Sequence, residues 1–290
     1  AAWRQGEETD EAPPPPPPAP RSSGQLFARG AVDVRRTRGL DAVDGAHTGT
    51  HRPRPERASL GRDNGDGSAL ESSEHRWLDN GFGALVEGLD YEIRVRDDHL
   101  PPAPWSNVIA NARAGFIATD RGANCTWVGN AQFYRLTPWH NDPVSDPPSD
   151  ALYLRDTDRD ELWSATPAPA GPGDFHVVRH SAGTTTYRHR HGALETELII
   201  GMAGDDPVRI SLLRVTNHDA VPRRLTVTSY VEWALGPQRE HTQHQVVPAF
   251  DADRQALLAR NPFNPVFAPL RAFAAISEPL AGFTADPRKV

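Results

Sequence analysis

The sequence predicts an all-β fold, a large antiparallel β-sandwich or supersandwich preceded by a disordered proline-rich tail, and three observations predict it. Residues from Arg224 to Ala234 alternate with period two, the signature of a strand. From about Trp77 onward, tryptophans and β-branched residues recur between short turns of Gly, Asp and Pro. No segment carries the apolar spacing of an amphipathic helix several turns long.

Residues 1–73 form the expected tail. They are poor in large apolar side chains and include the run Pro13 to Pro18, so they bury too little surface to offset the entropy of ordering. The run favours polyproline II, which suits either a tether or a ligand for an aromatic-lined groove, and the tether is the simpler reading. Residues 74–290 form the expected sandwich. Its strands are read at Tyr91 to Val95, Val108 to Thr119, Cys125 to Val128, Phe175 to His180, Thr184 to His189, Leu194 to Ile200, Ala256 to Ala259 and Arg271 to Ile276. Between the last two pairs lies the clearest one, Arg224 to Ala234, with Leu225, Val227, Ser229, Val231 and Trp233 on one face. Pro207 to Asn217, with Val208, Ile210 and Leu212 on one face, reads as its partner. Asn217-His218-Asp219 supplies a turn, and the two strands together read as a long antiparallel hairpin.

Composition narrows the function classes. The chain has 290 residues, 38% of them hydrophobic and 24% charged, with a formal net charge of -7. That charge gives no reason to expect nucleic acid or an anionic membrane as partner; a neutral ligand fits better. One cysteine, Cys125, excludes an intrachain disulfide and points to a reducing, cytoplasmic setting. Apolar runs such as Leu198 to Met202 are far shorter than a membrane helix needs. A chain that starts Ala1-Ala2-Trp3-Arg4 reads as a piece of a longer polypeptide.

The densest unusual stretch runs from Tyr134 to Pro148. Its prolines make it a loop rather than a central strand. Arg135, Trp139, Asn141, Asp142 and Asp146 within it combine a flat apolar face with hydrogen-bonding groups, the mixture that holds a sugar ring; the alternative is a rigid loop whose tryptophan plugs the core. The stretch Pro101 to Asn111 repeats the pattern with Trp105 and Asn107, and there Asn107 and Asn111 are better read as holding strand ends or neighbouring loops. A pair of carboxylates would suit glycoside hydrolysis, and Asp142, Asp146, Glu161, Glu232 and Glu240 are candidates. Asp142 and Asp146 stand beside prolines in turn-forming sequence, where aspartate commonly bonds backbone amides, so no catalytic residue is assigned. His189 and His191 would share a strand face and His241 and His244 lie in a loop. Without a third ligand, these read as solvated histidines rather than a metal site. Cys125 reads as a small core residue. There is no nucleophile elbow or phosphate loop, and Asn80-Gly81-Phe82-Gly83 is a turn.

Long words of the sequence resemble the family of cellobiose and chitobiose phosphorylases and the phosphorylase module of cyclic β-1,2-glucan synthases. They are Asn80 to Gly83 with Asp90-Tyr91-Glu92-Ile93, Pro102 to Asn111, Arg135 to Trp139 with Asn141 to Pro147, and Ala151 to Asp156. Further on come Asp206-Pro207-Val208, Pro222 to Leu225, Tyr230 to Gly236 and Leu257 to Pro262. The chain departs from the family at Gly83-Ala84-Leu85, where two glycines usually precede phenylalanine. It departs again at Glu87 to Tyr91 and at His140, where serine is usual.

The resemblance implies an accessory sandwich that works with an (α/α)6 catalytic barrel beyond Val290. It implies a β-glucan oligosaccharide as ligand, inorganic phosphate as co-substrate of the complete enzymes with no other cofactor, and a homodimer. It also implies a parent chain anchored at the inner membrane through segments outside these residues. A carbohydrate-binding sandwich that acts alone is the alternative.

Overall fold

Seventeen strands, all paired antiparallel, supply nearly all the regular structure of the described residues. In the computed structural model these are residues 25–34, 70, 75–171, 175–266 and 268–285. The first strand is β1 (Gln25–Val34), followed by β2 (Gly83–Leu85) and β3 (Tyr91–Val95). A three-stranded unit comes next, β4 (Ser106–Ala110), β5 (Ala114–Thr119) and β6 (Asn124–Val128), and then the hairpin of β7 (Asp150–Asp156) and β8 (Glu161–Ser164). After these run β9 (His176–His180), β10 (Thr184–His191), β11 (Leu194–Met202), β12 (Arg209–Asn217) and β13 (Arg223–Glu232). A short helix, α1 (Arg239–Thr242), leads to β14 (Val247–Asp251), β15 (Ala256–Arg260), β16 (Ala272–Ala275) and β17 (Gly282–Thr284).

Two large sheets form the sandwich. One has the order β17-β1-β13-β7-β8 and the other β12-β11-β10-β9-β3-β2, with β4-β5-β6 and β14-β15-β16 as smaller sheets. The main core draws Ile93, Val178, Tyr187 and Leu198 from the six-stranded sheet, Leu154, Trp163 and Leu225 from the five-stranded one, and Phe116 from β5. Sheets facing one another in this way bury the alternate residues of each strand, and β10 shows it with Thr185, Tyr187 and His189 buried between half-buried or exposed neighbours. A second cluster joins Trp233 and Leu235, just past β13, to Val246, Leu257 and Ala259.

Several expectations are corrected. Strands β12 and β13 exist, but they do not form a hairpin: β12 pairs with β11, and β13 pairs with β1 and β7. The connection is a corner between sheets. Asn217 is buried, donates to Val221 O at 2.9 Å and accepts from Asp219 N–H at 3.0 Å, which turns the chain. Arg223 then reaches Asp156 Oδ2 on β7 at 2.9 Å and fixes the new neighbour. The face of β12 with Ile210 and Leu212 is the exposed one, while Leu213 and Val215 pack on the core.

The stretch read as one strand from Val108 to Thr119 is two, because Asn111 Oδ1 accepts the N–H groups of Arg113 and Ala114 and closes a tight turn. Strand β1 falls inside the stretch 1–73, where local composition offers no strand pattern; its backbone pairs with β13 from Gln25↔Glu232 to Val34↔Arg223. Leu70, also in that stretch, is buried, and its carbonyl accepts from Arg188 Nη1 at 2.8 Å. The proline run lies outside the described residues.

Phe116 touches the core from both large sheets and is fully buried. Phe116→Ala is expected to lower the unfolding free energy by about 3–5 kcal/mol, read from urea denaturation with an unchanged slope.

Candidate functional site

Both proline-tryptophan stretches are drawn to one place, the carboxyl end of β5. Thr119 closes that strand and Asp120 follows it, and both are buried. Trp105 and Asp120 grip each other reciprocally. Trp105 N–H donates to Asp120 Oδ1 at 2.8 Å, and Asp120 N–H donates to Trp105 O at 2.8 Å. His180 Nε2 stands 3.2 Å from the same Trp105 carbonyl, and burial holds this imidazole below its ordinary pKa. The Trp105 ring meets Tyr91 edge to face at 5.5 Å and Phe82 at 6.2 Å. It is half-buried aromatic packing.

Asn107 points away from this node. Its Nδ2 donates to Ser181 O at 2.8 Å and lies 3.2 Å from both Thr184 O and Thr185 Oγ1, so it holds the β9–β10 turn. Asn111 Nδ2 likewise donates to Ala203 O and Asp206 O, each at 2.8 Å. Both amides hold neighbouring loops.

The loop from Tyr134 to Pro148 is anchored at both ends. At its start Arg135 bridges Trp127 and Gly236 through its backbone, and its guanidinium donates to Ala131 O at 2.9 Å and Pro237 O at 3.2 Å. Thr137 is buried and its hydroxyl accepts Thr126 N–H at 2.9 Å. The chain then runs outward through half-buried Trp139 to exposed His140 and Asn141, the latter with φ of +50°. Asparagine tolerates this left-handed conformation better than most residues.

Asp142 turns the chain back. It accepts Val144 N–H at 2.9 Å and the Ser145 hydroxyl at 2.5 Å, and the Ser145 bond leads the causes that hold its carboxyl below the usual range. Asp146 dives inward and accepts the Thr119 hydroxyl at 2.6 Å, while burial pushes its carboxyl up.

The other candidates have local partners. Glu161 faces His191 Nε2 at 3.3 Å, and Glu232 is buried against Arg239. Glu240 lies on α1 beside His241, which is helical rather than in a loop. His189 and His191 do share the inward face of β10, but His189 is not solvated. It is fully buried and stacks on His176 with ring centroids 4.2 Å apart, while His191 stacks on Trp163 at 4.5 Å. No three His, Cys, Asp or Glu side chains among the described residues are grouped to hold a metal ion. Cys125 is a core residue whose thiol is pushed up to about 11 by burial.

Sequence reasoning missed Asp120, because Thr119-Asp120-Arg121-Gly122 has the look of an ordinary turn. It becomes visible only when Trp105 and Asp146 are seen to meet there. The two best-formed recesses among the described residues are about 20 Å³ each, room for a single water and far below a sugar ring. The residues of this loop left exposed are His140, Asn141, Pro143, Val144 and Ser145, with Trp139 half-buried before them.

The family model for the glycosyl hydrolase 94 supersandwich domain matches residues 89–289. Cyclic beta-(1,2)-glucan synthase NdvB of Rhizobium meliloti (strain 1021) is 32% identical over 212 residues, which cover 72% of this chain and 8% of that protein. The N,N'-diacetylchitobiose phosphorylase of Vibrio furnissii is 22% identical over 155 residues, covering 52% of this chain and 19% of that enzyme. The enzyme of the same name from Vibrio proteolyticus is 19% identical over 149 residues. The chain thus spans less than a fifth of the length of these relatives, 8% of one and 19% of the others.

Asn107→Ala leaves the carbonyls of Ser181 and Thr184 without this donor. It is expected to cost about 1–3 kcal/mol of stability, measured by chemical denaturation, and to raise amide exchange in the β9–β10 turn.

Proposed function

The chain belongs to the glycosyl hydrolase 94 supersandwich family, and on that premise we propose that it is the accessory sandwich module of a glycoside phosphorylase or cyclic β-glucan synthase. The observation that carries the proposal is one of proportion. The match runs through most of the sandwich of this chain yet occupies 8% of the synthase and 19% of the phosphorylase, so most of those proteins lies elsewhere. In this reading the chemistry resides in a separate catalytic domain, an (α/α)6 barrel by resemblance, with inorganic phosphate as its co-substrate and no other cofactor. A second copy of the chain completes a homodimer.

What the described residues offer at the candidate site is an exposed loop. Half-buried Trp139 and exposed Asn141 place an aromatic ring and an amide two residues apart on this loop, chemistry suited to the outer units of a β-glucan oligosaccharide. Asp142 and Arg135 shape that loop through their bonds to Ser145, Val144, Ala131 and Pro237. Asp146 ties the loop to Thr119, while Trp105 is fixed on the neighbouring Asp120 and Asn107 holds the β9–β10 turn. A cytoplasmic setting is favoured by the lone buried thiol. No helix among the described residues is long and apolar enough to cross a membrane.

The 290-residue chain incubated with phosphate and β-1,2-glucan oligosaccharides or N,N'-diacetylchitobiose is expected to release no sugar phosphate. Tryptophan fluorescence titration with the same sugars is expected to give a Kd weaker than about 1 mM, about -4 kcal/mol. Release of sugar phosphate would overturn the accessory reading. A Kd below about 100 μM that is lost in Trp139→Ala would favour a binding module that acts alone.

A further inference from the structure

The end of β5 carries two acidic side chains that folding has removed from water. Asp120 is 0% and Asp146 4% exposed. Asp120 Oδ1 accepts Trp105 N–H, but Oδ2 is buried without a hydrogen-bond partner among the described residues. An ionised carboxylate with one oxygen unpaired in such a place is costly, whereas the protonated acid is far less so.

No cation among the described residues is bonded to either carboxylate. Arg121, next in the chain, acts on both carboxylates, and its pull is weaker than the penalty of burial. Asp142 and Asp146 face the node from the loop, Tyr187 from β10 and His180 from β9 through the Trp105 carbonyl. Asp150 and Arg209 act on Tyr187 behind it. Tyr187 also ties the node to the six-stranded sheet, donating its hydroxyl to Thr119 O at 2.7 Å.

We propose that Asp120 and Asp146 form a proton-dependent clasp: when Asp120 carries a proton, the Trp105 segment and the 134–148 loop are both held against the end of β5, and its ionisation releases them. The two arms are visible as bonds, Trp105 to Asp120 on one side and Asp146 to Thr119 on the other. Burial, reinforced by the negative charge of Asp146, pushes Asp120 up to about 7 from an ordinary 3.8. Between those values the closed clasp holds a proton that the opened one has lost. Its stability is therefore complete below the lower value and is lost as pH rises through the upper one. Opening should increase about fiftyfold between about pH 5 and pH 7 and level off above about pH 8. The clasp does not depend on sugar contact.

Hydrogen exchange of the 290-residue chain, corrected for the intrinsic effect of pH, tests this at the amides of Asp120 and Asp146. Both are bonded within the node, to Trp105 O and Asp142 O. The expected result is a loss of protection of about fiftyfold or more from pH 5 to pH 7 in the wild type and a clearly weaker dependence, the part left to Asp146, in Asp120→Asn, which mimics the protonated acid in shape. A protonated-carboxyl infrared band in the wild type at pH 6, absent from the variant, is the second expected signature. The same pH dependence in both proteins, or no such band in the wild type, would overturn the clasp. So would a rise of several degrees in the wild-type Tm on adding CaCl2 at pH 6 that Asp120→Asn lacks, because the unpaired oxygen would then belong to a cation.

Discussion

The arrangement of this sandwich depends on how the chain end of β5 is terminated. A strand that stops inside a protein leaves backbone groups that need partners, and here two distant segments supply them. Trp105 takes both the N–H and the carboxylate of Asp120, and the hydroxyl of Thr119 reaches Asp146. Tyr187 satisfies the Thr119 carbonyl from the six-stranded sheet. One short stretch thus fixes a segment before it, a loop after it and the sheet across from it. The acids that do this are buried, and the raised pKa of each follows chiefly from that burial, with a neighbouring aspartate adding to it.

The same logic recurs wherever the chain changes direction. Asn111 closes the β4–β5 turn, Asn217 turns the corner between the two large sheets, and Asp142 caps the bend that returns the 134–148 loop. Short polar side chains do this because they mimic a backbone turn with their own acceptor. On the outer face of the six-stranded sheet, buried Glu92 is met by Arg76 at 2.5 Å and by Arg179 at 3.3 Å. A carboxylate so deeply placed is tolerable only with such company, and the pairing holds residue 76 against β3 and β9. Polar groups that look like ligand donors in the sequence are therefore largely committed to the frame.

That commitment explains what the sequence revealed and what it hid. Period-two alternation located β13, and the recurrence of β-branched residues between turns located β10 and β11, whose inward rows are buried. It could not reveal that β12 and β13 belong to different sheets, since the corner rests on Asn217 and on Arg223 meeting Asp156, a partner 67 residues away. Strand β1 was invisible for a related reason: it is defined by backbone pairing with β13 across a separation of some two hundred residues, and local composition says nothing of such pairing. Within the candidate site, the loop and its tryptophan were legible from proline and aromatic content. Burial of His189 was not, because a histidine in an inward row reads the same as one in an outward row until the stacking partner His176 is placed beside it.

What remains outward then limits how the chain can act. The two best-formed recesses among the described residues are the size of a water, and the loop presents His140, Asn141 and Val144 on its outer part. Val144 of this loop is the most exposed large apolar side chain among the described residues, at 81%, and further apolar surface lies on the β14-β15-β16 sheet. Phe273 on β16 is 51% exposed, and its cross-strand neighbour Leu258 is half-buried on the side of the sheet opposite Leu257, which packs on Trp233. A three-stranded sheet with one face in the core and the other bearing such residues is stable because its inner face is well packed, while the outer face has apolar surface still to bury. A loop tied back at both ends and a sheet face with apolar surface still to bury leave the described residues suited to contact at their surface.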